Sequence, residues 1–195
     1  MKITFNSPVI LIFSSICVAV YLLSNVLNLF TSSFTLFPGW YPDSFGWYFS
    51  LISYTFGHAD MNHLIGNLSF ILLLGPIIEG RYGGKKLTLM MFATAIVTAL
   101  IHVIFFNHAL LGASGIVFML ILLTPLGNFK NNEIPLTFIL IVIIFIGKEI
   151  MGSFNDDNIS HFGHIMGGIV GAVFGFVFNA QGKTKGDNST KLPLT

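Results

Sequence analysis

The scarcity of charged residues constrains this chain more than any other feature. Only 9% of its 195 residues are Asp, Glu, Lys or Arg, while 54% are hydrophobic; a soluble domain normally carries about 25% charged residues. So few polar groups cannot cover the surface of a soluble fold, which excludes a soluble enzyme and a disordered chain. The net charge of +1 gives no attraction to nucleic acid. The sequence therefore predicts a polytopic, all-α integral membrane protein.

Six apolar stretches are candidates for membrane-spanning helices, because a helix needs about 20 apolar residues to cross a bilayer. The first stretch has only Lys2 before it and no small-residue cleavage site, so we expect a retained helix rather than a signal peptide. The fourth is short and is closed by Pro125 and Gly127, so it must end within protein or a water-filled cavity. The predicted spans are 9–30, 62–80, 86–106, 112–127, 134–152 and 161–179.

The basic residues lie almost entirely on one side of this arrangement. Eight of the nine Lys and Arg residues fall before the first span, in the two loops on the same side, or in the C-terminal tail, and Lys148 is the exception. The positive-inside rule then predicts that both termini are cytoplasmic. We expect a single domain over residues 1–180, followed by a polar, disordered cytoplasmic tail over 181–195. The outer loop over 31–61 is aromatic and lacks Lys and Arg, so it should lie in the membrane interface.

This orientation places polar residues from three spans at one depth. Spans two, four and six all begin at the outer face, and their first turns contain His63 and Asn67, Ser114, and His161 and His164, respectively. His63 and Asn67 are four residues apart and share a helix face. Polar side chains within a membrane are costly, so each is a candidate functional residue.

These groups match the needs of acyl transfer. A serine becomes a nucleophile when a base takes its proton, and histidine is the usual base. The oxyanion that develops needs hydrogen-bond donors. Ser114, His164, and the side chains of Asn67 and His63 could fill these three roles. In span six, Gly167, Gly171 and Gly175 recur every four residues, with Gly163 before them. If this face packs on the start of span four, it brings His164 to Ser114.

Each signal also has a simpler interpretation. The Gly-x-Ser-Gly sequence alone is more often a packing turn, and a glycine stripe alone more often only packs helices. His102 is expected to hydrogen-bond a neighbouring helix, and His58 and His108 to be interfacial. Glu149 is interpreted as a surface charge, and Glu79 as part of a packing and hydrogen-bonding motif at the cytoplasmic end of span two. The conjunction of serine, histidines and asparagine at one depth is what favours a functional site.

Taken together, these residues resemble the rhomboid family of intramembrane serine proteases. The matching segments are His58-Ala-Asp-Met-Asn-His63-Leu-Ile-Gly-Asn67, Gly112-Ala113-Ser114-Gly115, Gly163-His164-Ile-Met-Gly167 and Gly75-x-x-x-Glu79-x-x-x-Gly83. Their order, spacing and orientation resemble the basic six-helix bacterial form. The resemblance implies a six-transmembrane-helix rhomboid-like bundle with a short central fourth helix. It also implies a multi-pass protein of the bacterial inner (cytoplasmic) membrane.

The resemblance also implies an activity and its residues. Ser114 would be the nucleophile and His164 the general base, with His63, Asn67 and the Ser114 backbone N–H binding the oxyanion. Gly112 and Phe118 would complete the site. No cofactor and no metal is implied. Substrates would be single-pass transmembrane proteins in the lipid bilayer, with the segment 134–152 as a lateral gate and 152–160 as a cap. No nucleic acid is expected as a partner, and the sequence does not determine the oligomeric state.

The sequence departs from the family pattern in two places. Many relatives have Trp-Arg in the outer loop, where this chain has Phe49 and Ser50. Relatives often have Tyr four residues after the nucleophile, where this chain has Phe118. A phenyl ring can still stack on the histidine, but the hydroxyl is lost. Neither change removes a catalytic group.

Two other functions compete with a protease. A catalytically silent rhomboid-like scaffold or chaperone usually lacks the serine or the histidine, and both are present here. A metal-dependent protease or transporter would have to use His58, His63, His161 and His164. The chain has no His-Glu-x-x-His sequence, and its one cysteine, Cys17, excludes a cysteine-based zinc site. A transporter would also predict an inverted repeat, which the sequence lacks.

Overall fold

Helices occupy the described parts of the chain almost completely. The computed structural model describes residues 5–126, 136–152 and 161–186. Their helices are α1 (Pro8–Tyr21), α2 (Phe45–Ser53), α3 (Met61–Tyr82), α4 (Gly84–Phe105), α5 (Ser114–Leu126), α6 (Leu136–Gly152) and α7 (His161–Gly186). Short helical turns follow α1 over Leu22–Val26 and precede and follow α2 over Thr31–Phe34 and Tyr54–Phe56. In these residues the prediction of an all-α protein is confirmed.

Three of the described helical segments are long and apolar enough to cross a membrane. They are Pro8–Val26, Met61–Tyr82 and Gly84–Phe105, and shorter apolar helical stretches cover Ser114–Pro125 and Phe162–Gly175. Each of the six predicted spans overlaps one of the helices, but the count of six membrane crossings stays a prediction. The proposed cap at 153–160, the loop with Lys130, and the end of the tail over 187–195 lie outside the described residues.

Helix boundaries differ from the predicted spans at three places. The first helical segment ends at Val26 rather than at residue 30, where Asn28 and Phe30 adopt positive φ angles of 54° and 61°. Left-handed residues cannot continue a right-handed helix. α7 continues to Gly186, beyond the predicted end at 179. The outer loop also contains a helix that the sequence analysis did not predict, α2, whose first turn is capped by Ser44 accepting the Trp47 N–H.

α5 lies at the centre of the bundle. It packs against α3, α4, α6 and α7, and α1 packs against α3 on the other side of the core. Every side chain from Ile116 to Leu123 is buried, which explains why α5 is apolar on all of its faces. A second, smaller cluster joins α2 and the outer loop to α4 through Trp47, Leu51 and Tyr54.

The predicted hydrogen-bonding role of Glu79 is confirmed. Its buried carboxylate accepts the N–H groups of Val9 and Ile10, both at 3.1 Å, from the first turn of α1. Ser7 at the N-cap makes no side-chain cap bond, so a carboxylate from another helix satisfies these donors instead. Gly75 allows the approach, since a Cβ there would lie 2.7 Å from Ile10 Cγ1. Glu79 thus joins the end of α3 to the start of α1.

We expect Glu79→Ala to destabilise the protein by about 2–3 kcal/mol, because two buried N–H groups lose a charged acceptor. The stability of Glu79→Gln should fall between those of the wild type and Glu79→Ala, since the amide oxygen of glutamine can still accept a hydrogen bond. Thermal unfolding in detergent measures both. Asp43→Asn is the matched control, because Asp43 is exposed in the outer loop. Equal melting temperatures for Glu79→Ala and Asp43→Asn would show that the carboxylate does not hold α1.

Candidate active site

The site begins at the first turn of α3, whose start is determined by a capping aspartate. Asp60 accepts the His63 N–H at 2.8 Å, which is the usual N-cap geometry. The preceding segment is also held in place, because the Asn25 side-chain amide donates to the His58 and Ala59 carbonyls at 3.1 and 2.9 Å. These contacts determine where α3 begins and therefore which helix face carries His63 and Asn67.

His63 and Asn67 both lie against Gly112, two residues before Ser114. A Cβ on Gly112 would be 2.7 Å from His63 Cε1 and Nε2 and 3.8 Å from Asn67 Nδ2. Gly112 also has a φ of +121°, a backbone conformation that residues other than glycine rarely adopt. Ser114 then begins α5. The structure therefore brings the polar residues of α3 to the loop that leads into the serine.

The side-chain nitrogen of Asn67 is a buried donor with an unused hydrogen-bonding capacity. Asn67 is only 7% exposed, and its Nδ2 has no hydrogen-bond partner among the described residues. A buried donor without an acceptor costs about 1–3 kcal/mol. Such a group is suited to an acceptor that arrives with a ligand.

The glycine face of α7 packs directly on the start of α5, which is the arrangement that the sequence analysis considered as a condition for bringing His164 to Ser114. A Cβ on Gly167 would overlap the Gly115 backbone, at 2.7 Å from its Cα. A Cβ on Gly115 would lie 3.3 Å from the Gly163 carbonyl oxygen. Further along α7, Gly171 packs against Met119. Gly163 and Gly167 flank His164 by one and three residues, and Gly115 follows Ser114. The contact therefore brings together the backbone segments that carry the serine and the histidine.

The His164 ring stacks on Phe118. The two ring centroids are 4.6 Å apart and the planes differ by 7°. Phe118 also makes an edge contact with Phe145 on α6, with ring centroids 5.6 Å apart. The phenyl ring at the position where relatives often have tyrosine therefore still contacts the imidazole. It also connects the imidazole to α6.

Two histidines lie in different environments from those expected. His58 is 2% exposed rather than interfacial, and its Nδ1 lies 3.1 Å from the Phe56 carbonyl. Burial, together with the neighbouring His63 at a ring distance of 5.1 Å, lowers the pKa of His58 to about 4. His58 is therefore neutral at pH 7. His102 is fully buried, and its ring bonds to the His108 carbonyl of the following loop rather than to another helix.

The backbone contacts around Ser114 could not be predicted from the sequence. Gly112 N–H donates to the Tyr54 carbonyl at 2.9 Å, and Leu36 and Leu110 exchange two backbone hydrogen bonds at 2.9 and 2.8 Å. Every residue type except proline can donate such a backbone bond, so these bonds leave almost no signal in the sequence. The described residues contain no group of three or more His, Cys, Asp or Glu that could hold a metal ion. The side chains of His161 and Glu149 lie outside what the structure describes.

Together, the fold and the site define an integral membrane protein with a polar site enclosed by its helices. The comparison with known protein families then identifies it. A family model described as Rhomboid domain matches residues 46–181, and the chain belongs to the rhomboid family.

Named relatives come from several kingdoms. The chain is 34% identical over 136 residues to Rhomboid-related protein 1 of Caenorhabditis elegans, and the aligned region covers 64% of this chain and 38% of that protein. It is 28% identical over 153 residues to the chloroplastic Rhomboid-like protein 11 of Arabidopsis thaliana, covering 70% of this chain and 52% of the relative. With the Rhomboid protease GlpG of Haemophilus influenzae the identity is 25% over 180 residues, covering 88% of this chain and 91% of GlpG. The chain thus spans about half or less of the first two relatives and nearly all of GlpG.

Proposed function

We propose that this protein is an intramembrane serine endopeptidase that cleaves transmembrane segments of single-pass membrane proteins. The observation that carries the proposal is the packing of α7 on the start of α5, which brings the segments of Ser114 and His164 together. His63 and Asn67 lie against the same loop. The relative that matches over nearly its whole length is named a rhomboid protease.

The proposed reaction is acyl transfer in two steps. Ser114 Oγ attacks the scissile carbonyl carbon while His164 takes the hydroxyl proton and then donates it to the leaving amine. Water next attacks the acyl-enzyme, with His164 again as the base, and releases the second product. The stacking of Phe118 limits rotation of the imidazole and so orients it. No acidic residue of α7 accompanies His164 up to Gly175, which favours a dyad rather than a triad.

Three donors are assigned to the oxyanion. Asn67 Nδ2 is buried without an acceptor in the described part of the chain, His63 shares its helix face, and the Ser114 N–H lies at the start of α5. N–H groups in the first turn of a helix have no partner within the helix and lie at the positive end of its dipole. These donors stabilise the negative charge that develops on the carbonyl oxygen. Gly112 lets His63 and Asn67 approach the serine loop, and the reaction needs no cofactor.

The proposed topology follows from the charge pattern. Residues 1–180 form one domain with six membrane crossings and a short central fourth helix, and both termini and the tail over 181–195 lie in the cytoplasm. Water reaches the site from the outer face, with α6 as the lateral gate and 152–160 as the cap. We assign the protein to a bacterial inner membrane, since the match to GlpG covers 91% of that bacterial protein.

A cleavage assay with the full chain in lipid vesicles tests the proposed function. A single-pass substrate should be cut within or beside its transmembrane segment, and a fluorophosphonate probe should label Ser114. Chelators should change neither result. Absence of both cleavage and labelling would instead favour the silent scaffold, and loss of activity on chelation would favour a metal enzyme.

We expect Asn67→Ala to reduce turnover by roughly 10- to 1000-fold, as removal of one oxyanion donor does in other enzymes. The mutation deletes a buried donor for which the described residues provide no partner, so the melting temperature should change little. Steady-state cleavage and thermal unfolding of the same preparation measure the two effects. An unchanged turnover would assign Asn67 to packing.

A further inference from the structure

Hydrogen bonds hold the loop between α4 and α5 at every second residue. The loop leaves α4 at Phe106. Its residue Leu110 is bonded to the backbone of the outer loop, and its residue Gly112 donates to the Tyr54 carbonyl. A third point of attachment is a side-chain contact, because His102 Nε2 lies 2.8 Å from the His108 carbonyl oxygen. The path into Ser114 is therefore constrained at residues 108, 110 and 112.

His102 can make this bond only when Nε2 carries a proton, because a carbonyl oxygen accepts and cannot donate. In the neutral ring, a proton on Nε2 leaves Nδ1 as the bare nitrogen. Nδ1 is buried and has no hydrogen-bond partner among the described residues. The imidazole is 0% exposed, and hydrogen bonds strengthen in such a low-dielectric environment. A leucine or phenylalanine could fill the same space, so the polar ring indicates that the bond to His108 is used.

The same imidazole is also connected to the helix that carries His164. Phe106 stacks on His102, with centroids 5.3 Å apart and planes inclined by 15°. Phe106 in turn contacts Phe162, at a centroid distance of 4.6 Å. Phe162 lies in the first turn of α7, two residues before His164. His102 therefore contacts the serine loop directly and the start of α7 through a single ring.

We propose that His102 is a positioning residue that holds the loop leading into Ser114 and, through Phe106 and Phe162, the first turn of α7. This inference rests on the proposed function, in which Ser114 and His164 must keep a defined mutual geometry. His102 touches no reacting group. It acts by limiting how far the two segments can move apart.

Two variants separate the hydrogen bond from the packing. His102→Phe keeps an aromatic ring beside Phe106 but removes the donor, whereas His102→Gln keeps a donor near the position of Nε2. We expect His102→Phe to lower kcat and the rate of fluorophosphonate labelling of Ser114 by about 10- to 100-fold, as small misplacements of reacting groups do. KM should change much less, because the substrate contacts remain. His102→Gln should restore most of the lost rate.

Leu87→Ala is the matched control for general destabilisation. Leu87 is also fully buried in α4 but lies near the opposite end of the helix. The Leu87→Ala substitution should lower the melting temperature but should not slow the labelling of Ser114 at temperatures far below unfolding. Equal slowing in His102→Phe and Leu87→Ala would overturn the proposal, as would a wild-type rate in His102→Phe or no recovery in His102→Gln.

Amide hydrogen exchange separates this inference from the proposed function. In His102→Phe the amides of Leu110 and Gly112 should exchange faster, while those of α3 stay unchanged. If the exchange is faster in His102→Phe but the wild-type protein has no protease activity, the proposed function is contradicted and the connection between His102 and the loop is retained. Unchanged exchange would contradict that connection even in an active protease.

Discussion

Ser114→Ala and His164→Ala are each expected to abolish cleavage of a single-pass substrate by the full chain in vesicles. Alanine at residue 114 removes the nucleophile, and alanine at 164 leaves the serine without a base. Loss of either member of such a unit costs about 10⁴-fold or more in serine hydrolases. The two losses should be nearly equal, and the double variant should be no slower than either single one. Gel analysis of cleavage measures the remaining rate.

Two observations keep this result interpretable. Thermal unfolding should show a retained fold in both variants, since Ser114 is only partly buried and the glycine contacts of α5 and α7 do not involve its side chain. Ser69→Ala is the control for replacing a helical serine, because the exposed Ser69 hydroxyl bonds to the Ile65 carbonyl of its own helix and to no other described residue. It should cleave at the wild-type rate. Full activity of Ser114→Ala would exclude the dyad.

The second large effect is expected from one methyl group on α7. Gly167→Ala places a Cβ on the Gly115 backbone, only 2.7 Å from Cα and 2.6 Å from the carbonyl carbon. Backbone atoms cannot rotate away as a side chain can, so the two helices must separate. We expect cleavage to fall by about 100-fold or more, because the separation moves the His164 segment away from Ser114. The free energy of unfolding should decrease by about 1–3 kcal/mol through overpacking.

Gly66→Ala is the matched control for this substitution. Gly66 is also helical, in α3, but a Cβ there would meet nothing within 4 Å. Alanine is the better helix former by about 1 kcal/mol, so this variant should be active and equally or more stable. Wild-type cleavage and melting in Gly167→Ala would show that the close approach of α5 and α7 is not needed.

The sequence predicted much of the framework because hydropathy is a local property. Long apolar runs predicted where α3 and α4 lie to within two residues, since the bilayer requires about 20 apolar residues per crossing. Four-residue glycine spacing on span six predicted the face that packs on the start of span four. The pairing of His63 with Asn67 followed from helix periodicity.

Other features depend on contacts between distant residues. The helix α2 lies in the segment 31–61, whose apolar residues show no clear period, so the sequence predicted only a loop there. His58 was expected at the surface, but Asn25 holds its segment from 33 residues away, and the ring is buried. The role of His102 depends on a carbonyl in the following loop, and any residue could provide one.

Scarcity of charge determined by itself that this chain is a membrane protein, because water-soluble folds need charged surfaces and lipid excludes them. The residue types and their spacing also determined which groups could do chemistry. Only the tertiary structure decided that the Asn67 donor is buried without a partner among the described residues and that Gly115 and Gly167 meet backbone to backbone. It also decided that Phe118 lies flat on His164. These are outcomes of close packing among α3, α5 and α7, and close packing depends on the shapes of all neighbours at once rather than on any one segment.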